Sequence, residues 1–493
     1  MDQAYRGSGN CSNQPLLEAL ANWDIAAESD DIRRYFYHYN DVTKIESGAV
    51  LSLVGHKGAG KSAVAQWLAD VNDPQRVGRC AKLSFRDFKD SPIHGLITNP
   101  DDAQDQYKRL WYHVIVLSFI RLTIADPNVS RRLKFYLKWK FKPNARRGLS
   151  RIREIFTRGG AINILGTGFT LGERMRGSFL NVADKLPYDK PYYVIFDELD
   201  EEYRYAVAHG KLERRYHDGL IGLEKAIVQF HSDMKEKRQQ LYPVMMLRTD
   251  IYDLLTSGDR NKFRDKTLDI SWTENRIKNL LAYRISRALV PDAEGNDILL
   301  FQVAWPALFN ISSLRREGTT PSAIFTYIND RTFMRPRDFV AFIKYAAKAA
   351  LNNNSFEGIR LRDLLDAETE YSDYLRREVE DAIGGLEPEF LLAIRAITDV
   401  GKMFPSQADL LEAIKNRTSE GIRAKFALSY MLDTLYYYNV VGRHHERLRA
   451  TYSYMGGGKF STKWNLMVHK GLWRSLGLTS ANMDALREAL RGR

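Results

Sequence analysis

Apolar positions along the chain keep two rhythms. Three short runs, Val50–Val54, Tyr192–Phe196 and Val244–Leu247, each stop abruptly at polar residues, the pattern of strands covered on both faces. Ala81–Phe85 and Thr267–Ile270 read as two more strands. Between them the spacing changes to the threes and fours of an amphipathic helix. It does so over Ala63–Asp70, with Ala63, Val64, Trp67 and Leu68 on one face, over Ala103–Ala125, and over Leu212–Gln239. It recurs at Ile277, Leu280, Leu281 and Ile285, and again after Pro336, a proline placed where a helix entry tolerates one. Strands alternating with helices predict an α/β core around a parallel sheet.

Beyond that core the pattern predicts different architecture. Glu357–Gly385 reads as a charged, partly helical connector. From Glu387 three helical stretches follow, then two strand-like runs, Ala450–Met455 and Phe460–Trp464, split by Gly456-Gly457-Gly458. Three helices and a hairpin make a winged-helix-like α+β domain. Its third helix carries Tyr430, Met431, Leu432, Leu435, Tyr436 and Tyr437, more apolar than a DNA-reading face requires, so packing or a protein contact suits it at least as well. The expected layout is an N-terminal segment (1–48), a core (49–272) with a basic helical insertion at about 91–185, a helical lid (273–356), a connector (357–386) and the winged-helix-like domain (387–493).

The chemistry is concentrated at strand ends. After Val54 comes Gly55-His56-Lys57-Gly58-Ala59-Gly60-Lys61-Ser62-Ala63, which fits G-x-x-x-x-G-K-[ST] between a strand and a helix. Glycines let successive backbone N–H groups turn inward on a phosphate chain, and the following helix offers its positive end to the same anion. In that pattern Lys61 reaches the β- and γ-phosphates and Ser62 holds Mg²⁺. The run Tyr192–Phe196 ends in Asp197-Glu198-Leu199-Asp200-Glu201. Asp197 is then placed for the metal's water shell, and Glu198 for the attacking water. N-capping carboxylates at a strand-to-helix turn are the structural alternative. Arg248 follows the run Val244–Leu247, where a γ-phosphate sensor would stand. The implied cofactors are ATP and Mg²⁺.

The stretches "LVGHKGAGKSAV", "LRTDIYDLL", "DRNKFRDKTLDISW" and "FMRPRDFVAFIKYA" resemble the AAA+/STAND branch of P-loop ATPases, of origin-recognition, NACHT and KAP type. They resemble more closely bacterial P-loop ATPases that recur in phage-defence settings. The resemblance spans roughly Val50–Ala350, with gaps. It implies an oligomeric ATP-hydrolysing switch or motor with a helical lid, Asp200 as the alternative to Glu198 for the working acid, Arg335 or Arg337 as the lid's sensor, and Arg260 or Arg264 as a finger toward a neighbouring subunit. Surface salt bridges are the alternative for these arginines. The sequence shows no nuclease, protease or deaminase motif, so any toxic output is expected from a separately encoded effector. The rival reading is a nucleic-acid-binding ATPase of replication or repair; a scaffold that holds nucleotide without hydrolysing it is a third.

Composition changes this picture in one place. Of the net +12, a charge of +10 falls between Arg131 and Arg158, where eleven Lys or Arg face a single acid, Glu154. Phe135, Tyr136, Trp139 and Phe141 interleave with that charge. Lys134, Lys138, Trp139, Lys140, Lys142, Arg146 and Arg147 are therefore candidates for contacting DNA or RNA, cations to phosphates and rings to bases. A solvated face, an acidic protein partner or a membrane surface would use the same composition. The 44% apolar content supports packed cores, and no apolar stretch is long enough to span a bilayer. The N-terminus lacks signal-peptide character, and Cys11 and Cys80 form neither a disulfide framework nor a zinc pattern. A cytoplasmic protein is the expectation.

Overall fold

Five strands, β1 (Ser52–Val54), β2 (Cys80–Ser84), β3 (Tyr192–Asp197), β4 (Leu241–Leu247) and β5 (Thr267–Asp269), form one sheet in the order β2-β3-β4-β1-β5. Every pairing is parallel. The computed structural model describes residues 13–69, 79–84, 102–141, 176–186, 190–199, 207–208, 211–212, 214–255, 263–384, 388–445, 449–456 and 458–478. The chain divides into two compact units, His38–Ser271 and Met1–Tyr37 with Trp272–Arg493.

In the first unit the sheet is a buried α/β core, as the unbroken apolar runs require. All six residues of β3 are buried, and so are all of β4 except Tyr242. Because the strands run in parallel, their C-terminal ends share one edge. Val54 lies opposite both Leu247 and Asp269, and Ser84 opposite Asp197. Spatial order departs from chain order, since β1 sits between β4 and β5 and the chain then crosses to β2 at the far edge. Open parallel sheets bind ligands where the order switches in this way, outside the strands' carboxyl ends.

Helices cover the sheet. These are α2 (Asn40–Glu46), α3 (Lys61–Leu68), α4 (Ala103–Ala125), α5 (Arg131–Phe141), α6 (Arg214–Glu236) and α7 (Thr249–Leu254). α4 and α6 are held together by aromatic packing. Phe230 of α6 stacks on Phe119 with centroids 5.1 Å apart, while Trp111 meets Phe196 of β3 edge-on at 5.8 Å. Trp111 Nε1 also donates to the Gly219 carbonyl at 3.0 Å. Gly222 permits the close approach: a Cβ there would lie 2.4 Å from Tyr107 Cβ and 2.9 Å from the Lys108 backbone nitrogen. α2 is tied in by its last residue, Glu46, which accepts from Trp67 Nε1 at 3.0 Å and, through its carbonyl, from Tyr193 Oη at 2.8 Å.

The second unit is mostly helical. It contains α1 (Gln14–Ala21), α8 (Glu274–Leu289), α9 (Pro321–Asn329), α10 (Pro336–Asn352), α11 (Leu361–Gly384), α12 (Leu391–Val400), α13 (Gln407–Arg417) and α14 (Leu428–Tyr437). Its N-terminal part is anchored by Arg284, which pairs with Asp30 at 2.7 Å, and by Lys344 Nζ on the Trp23 carbonyl at 2.6 Å. The stretch expected as a partly helical connector is one continuous helix, α11. Leu364, Tyr371, Leu375 and Ile383 recur on its buried side, so it belongs to the core.

The strands that follow also differ from expectation. β6 (Val441–His444) is central, between β7 (Ala450–Thr451) and β8 (Leu466–Val468), and both pairings are antiparallel. The run Phe460–Trp464 is not a strand. Its rings pack on Tyr436 of α14, Phe460 at 5.7 Å and Trp464 at 5.2 Å, and the Gln407 side chain donates to the Ser461 and Trp464 carbonyls. The ladder is taken instead by the fully buried Leu466-Met467-Val468. Within Ala450–Met455, only Ala450–Thr451 is strand, and Ser453–Met455 is a 3₁₀ turn. Among the described residues no helix is long and apolar enough to cross a membrane.

Candidate functional site

The loop from Gly55 to Gly60 joins the tip of β1 to α3, and its backbone is turned by glycines. Gly58 has φ +84° and Gly60 φ +101°, a left-handed conformation that side-chain-bearing residues rarely adopt. Gly60 caps α3, so Lys61, Ser62 and Ala63 form its first turn, where backbone N–H groups have no partner within the helix. Ala59 N–H donates to the His56 carbonyl at 3.1 Å, closing the loop on itself. Lys61 Nζ donates to the Gly55 carbonyl at 2.6 Å and the His56 carbonyl at 3.1 Å. The ammonium is thus held inside the loop by neutral carbonyls, which an anion could replace. His56 and Lys57 are half-buried on the same loop.

Asp197 ends β3 on the same edge of the sheet. It is 4% exposed, and Lys82 of β2 places Nζ 3.0 Å from its Oδ2, off the line of a hydrogen bond. Lys82 Nζ is also 3.8 Å from Glu198 Oε1. Glu198 itself holds φ +55°, a conformation that costs a residue with a side chain about 1–2 kcal/mol. Such strain collects where a particular side-chain direction is needed. A buried carboxylate at a strand tip, with the Lys82 ammonium beside it but off hydrogen-bond geometry, can exchange that ammonium for a hard cation or its water, so the residues present fit Mg²⁺ at Asp197 and Ser62. Two strand spacings, about 10 Å, separate β3 from β1, a gap that a triphosphate and its cation can bridge.

Other expected residues are placed as follows. Arg248 forms a bidentate pair with Asp250, Nε to Oδ1 being 3.0 Å, at the start of α7. Arg264 is exposed, just before β5. Asp269, at the tip of β5, has its carboxyl raised above the ordinary range by desolvation and by Asp253, while Lys61 opposes the shift. Arg335 and Arg337 belong to the second unit. Arg335 caps α10 with its guanidinium on Asp338, at 3.0 and 2.8 Å, and over the Phe333 ring at 4.8 Å; Arg337 reaches Glu378 at 3.2 Å. Asp200, Glu201, Arg260, Lys142, Arg146 and Arg147 lie outside the described residues.

Of the basic segment, α5 is described. Phe135 and Trp139 are 74% and 66% exposed, whereas Leu137 is buried. Lys140 lies 5.6 Å from the Tyr136 ring centroid and donates to Tyr136 Oη at 3.2 Å.

Sequence reasoning missed Lys82, Asp253 and Asp269. A signal existed for Lys82. In β2, Cys-Ala-Lys-Leu-Ser, it is a lone charge in a strand of a buried sheet, and such a charge needs an acid nearby. Lys82 pairs in register with Ile195, and Asp197, two residues on, points to the same face.

Residues 275–380 match the family described as the FunZ-associated C-terminal helical domain. None of the curated proteins matches. Among solved structures, the crystal structure of Cdc6p from Pyrobaculum aerophilum is similar at 12% identity with a TM-score of 0.32, over 96% of this chain and 97% of that one. A Drosophila ORC structure bound to DNA is similar at 12% identity with a TM-score of 0.29, over 99% and 93%. Scores this low decide nothing about the architecture, which rests on the parallel sheet itself.

Proposed function

We propose that this chain binds ATP with Mg²⁺ and hydrolyses it, as a switch or motor. The observation that carries the reading is a single sheet edge holding three parts together. These are the glycine-turned loop with Lys61 inside it, the buried Asp197 with the Lys82 ammonium 3.0 Å from its Oδ2, and Glu198 in a strained conformation beside it. Backbone N–H groups of the loop and the first turn of α3 would cradle the phosphates, with Lys61 moving from carbonyl to phosphate oxygen. Asp197 and Ser62 would hold the metal, whose charge offsets that developing on the phosphates. Glu198 would orient water, with Asp200 the neighbouring candidate. Arg248 stays close to the edge at the end of β4, and its release from Asp250 would let it sense a γ-phosphate. A phage-defence setting with a separate effector, and assembly through Arg260 or Arg264, rest on the motif resemblance.

Phosphate release from Mg-ATP tests the reading. Glu198→Gln should retain ATP and release little phosphate, while Asp200→Asn should turn over. If the reverse is found, Asp200 is the working acid. If the unaltered chain releases no phosphate with or without DNA, the hydrolase reading fails. The replication or repair alternative is favoured by the exposed basic helix α5, and it requires DNA to stimulate turnover.

A further inference from the structure

The outward side of α5 is unlike the rest of the described surface. Arg131, Arg132, Phe135, Lys138 and Trp139 are its exposed residues, and their spacing sets them on one arc of roughly 120°. The next most exposed Phe or Trp among the described residues is Phe404, at 40%, against 74% for Phe135 and 66% for Trp139. The helix is not loosely attached. Leu137 is fully buried on the opposite side, and Phe141 meets Phe179 edge-on at 6.5 Å. Tyr136, flanked by Lys140 at 5.6 Å and Lys185 at 5.4 Å, sits 6.4 Å from Trp139 and limits where that ring can swing. Two rings one turn apart are therefore presented to solvent on a fixed helix, with three cations around them and no acid in α5.

We propose that this face of α5 binds single-stranded nucleic acid. Rings stack on base faces that a duplex would keep covered, and the cations neutralise the backbone phosphates. A membrane-surface helix needs a broad apolar face, whereas three of the five exposed residues here are cations. An acidic protein surface would satisfy the charges and leave the two rings without a counterpart. Lys140 turns away from the arc and Lys134 flanks its edge beside Lys138, so the footprint is narrower than the basic segment as a whole. The proposal stands apart from the nucleotide site and is tested without nucleotide.

The experiment is anisotropy of fluorescein-labelled oligo-dT with the full chain, over a series of salt concentrations. Trp139→Ala should weaken binding on the order of tenfold, and Phe135→Ala similarly. The triple reversal Arg131→Glu, Arg132→Glu, Lys138→Glu should remove most binding, and reducing these three to Ala should make the log–log salt slope shallower by about two. Lys140→Glu should cost much less. A blunt-ended duplex of matched length should bind more weakly and be insensitive to Trp139→Ala. All five side chains point to solvent, so an unchanged melting temperature confirms that the variants fold. The proposal is overturned if oligo-dT affinity survives the triple reversal. It is also overturned if Trp139→Ala leaves affinity unchanged with poly-glutamate binding equally well, or if phosphatidylserine vesicles bind and oligo-dT does not.

Discussion

Replacing Lys61 with Ala gives the sharpest test of the nucleotide site. In the chain as folded, Lys61 Nζ already makes two hydrogen bonds, to the Gly55 carbonyl at 2.6 Å and the His56 carbonyl at 3.1 Å. Binding ATP therefore exchanges contacts, and the gain is the difference between meeting an anion and meeting neutral dipoles. Unit charges 4 Å apart near a protein surface interact by about 4 kcal/mol. Partial exposure and the carbonyls given up reduce this to about 2–3 kcal/mol, on the order of a hundredfold in Kd. Thermal unfolding reads the change directly. At an ATP concentration about 100 times Kd, binding stabilises the fold by about 2.7 kcal/mol. For a unit the size of His38–Ser271, 1 kcal/mol moves Tm by about 2–4 °C, so Mg-ATP should raise it by about 5–11 °C. In Lys61→Ala at the same ATP concentration, about 0.4 kcal/mol remains, a shift of about 1 °C. The variant should also melt lower without nucleotide, because two loop carbonyls lose their donor. A Lys61→Ala protein that keeps an ATP-induced shift above about 5 °C would refute the placement of the phosphates in this loop.

Two further predictions follow from particular contacts. Lys82→Met removes the ammonium lying 3.0 Å from Asp197, so the Mg²⁺ concentration giving half-maximal turnover should fall several-fold; an unchanged Mg²⁺ dependence would show that Lys82 does not compete for that carboxylate. His469 is fully buried, wedged between Phe333 and Tyr452 at 4.6 Å each, with Nδ1 accepting from Gly471 N–H; desolvation, then Lys470 and two arginines, lower its pKa from 6.5 to about 3. A depressed imidazole leaves stability intact above 6.5 and removes about 1.4 kcal/mol per pH unit as pH falls from there toward 3, since only the unfolded chain takes the proton. His469→Asn keeps the acceptor without the titration, and should flatten denaturant-measured stability between those limits. An equal acid slope in both proteins would refute it.

The parts of this protein legible in sequence are those in which a local pattern meets one dominant force. Tyr192–Phe196 and the mostly apolar Val50–Val54 read as interior strands, because short runs with little or no polar alternation have no solvent-facing side. Gly58 and Gly60 mark a sharply turned loop after β1 through backbone conformations that only glycine adopts readily. Helix α4 appeared with the expected limits, Ala103–Ala125. Where two patterns competed, local reading failed. Phe460–Trp464 has a strand's composition, yet its rings gain more from Tyr436 than its backbone gains from a ladder, and the buried Leu466–Val468 takes the pairing. Aromatic β-propensity expresses packing as much as backbone preference, so it cannot choose between those outcomes.

The site divides along the same line. Residues close in sequence, from Gly55 to Ser62 and at Asp197-Glu198, are candidates that a motif marks, because covalent geometry keeps them together. Lys82 and Asp197 stand 115 positions apart in the numbering, and only the β2–β3 register brings the ammonium to the carboxylate. The same holds on α5. Helical spacing alone put Arg131, Arg132, Phe135, Lys138 and Trp139 on a common arc, but equally put Leu137 and Phe141 on another. Which arc faces water is a tertiary outcome: Leu137 is buried and Phe141 meets Phe179, 38 residues further on, while Phe135 and Trp139 stay exposed. Sequence by itself determined which elements form and which residue types can perform chemistry, since both depend on neighbours along the chain. Tertiary structure alone decided which distant charges meet and which faces remain uncovered, because burial is a competition among all surfaces of the molecule at once.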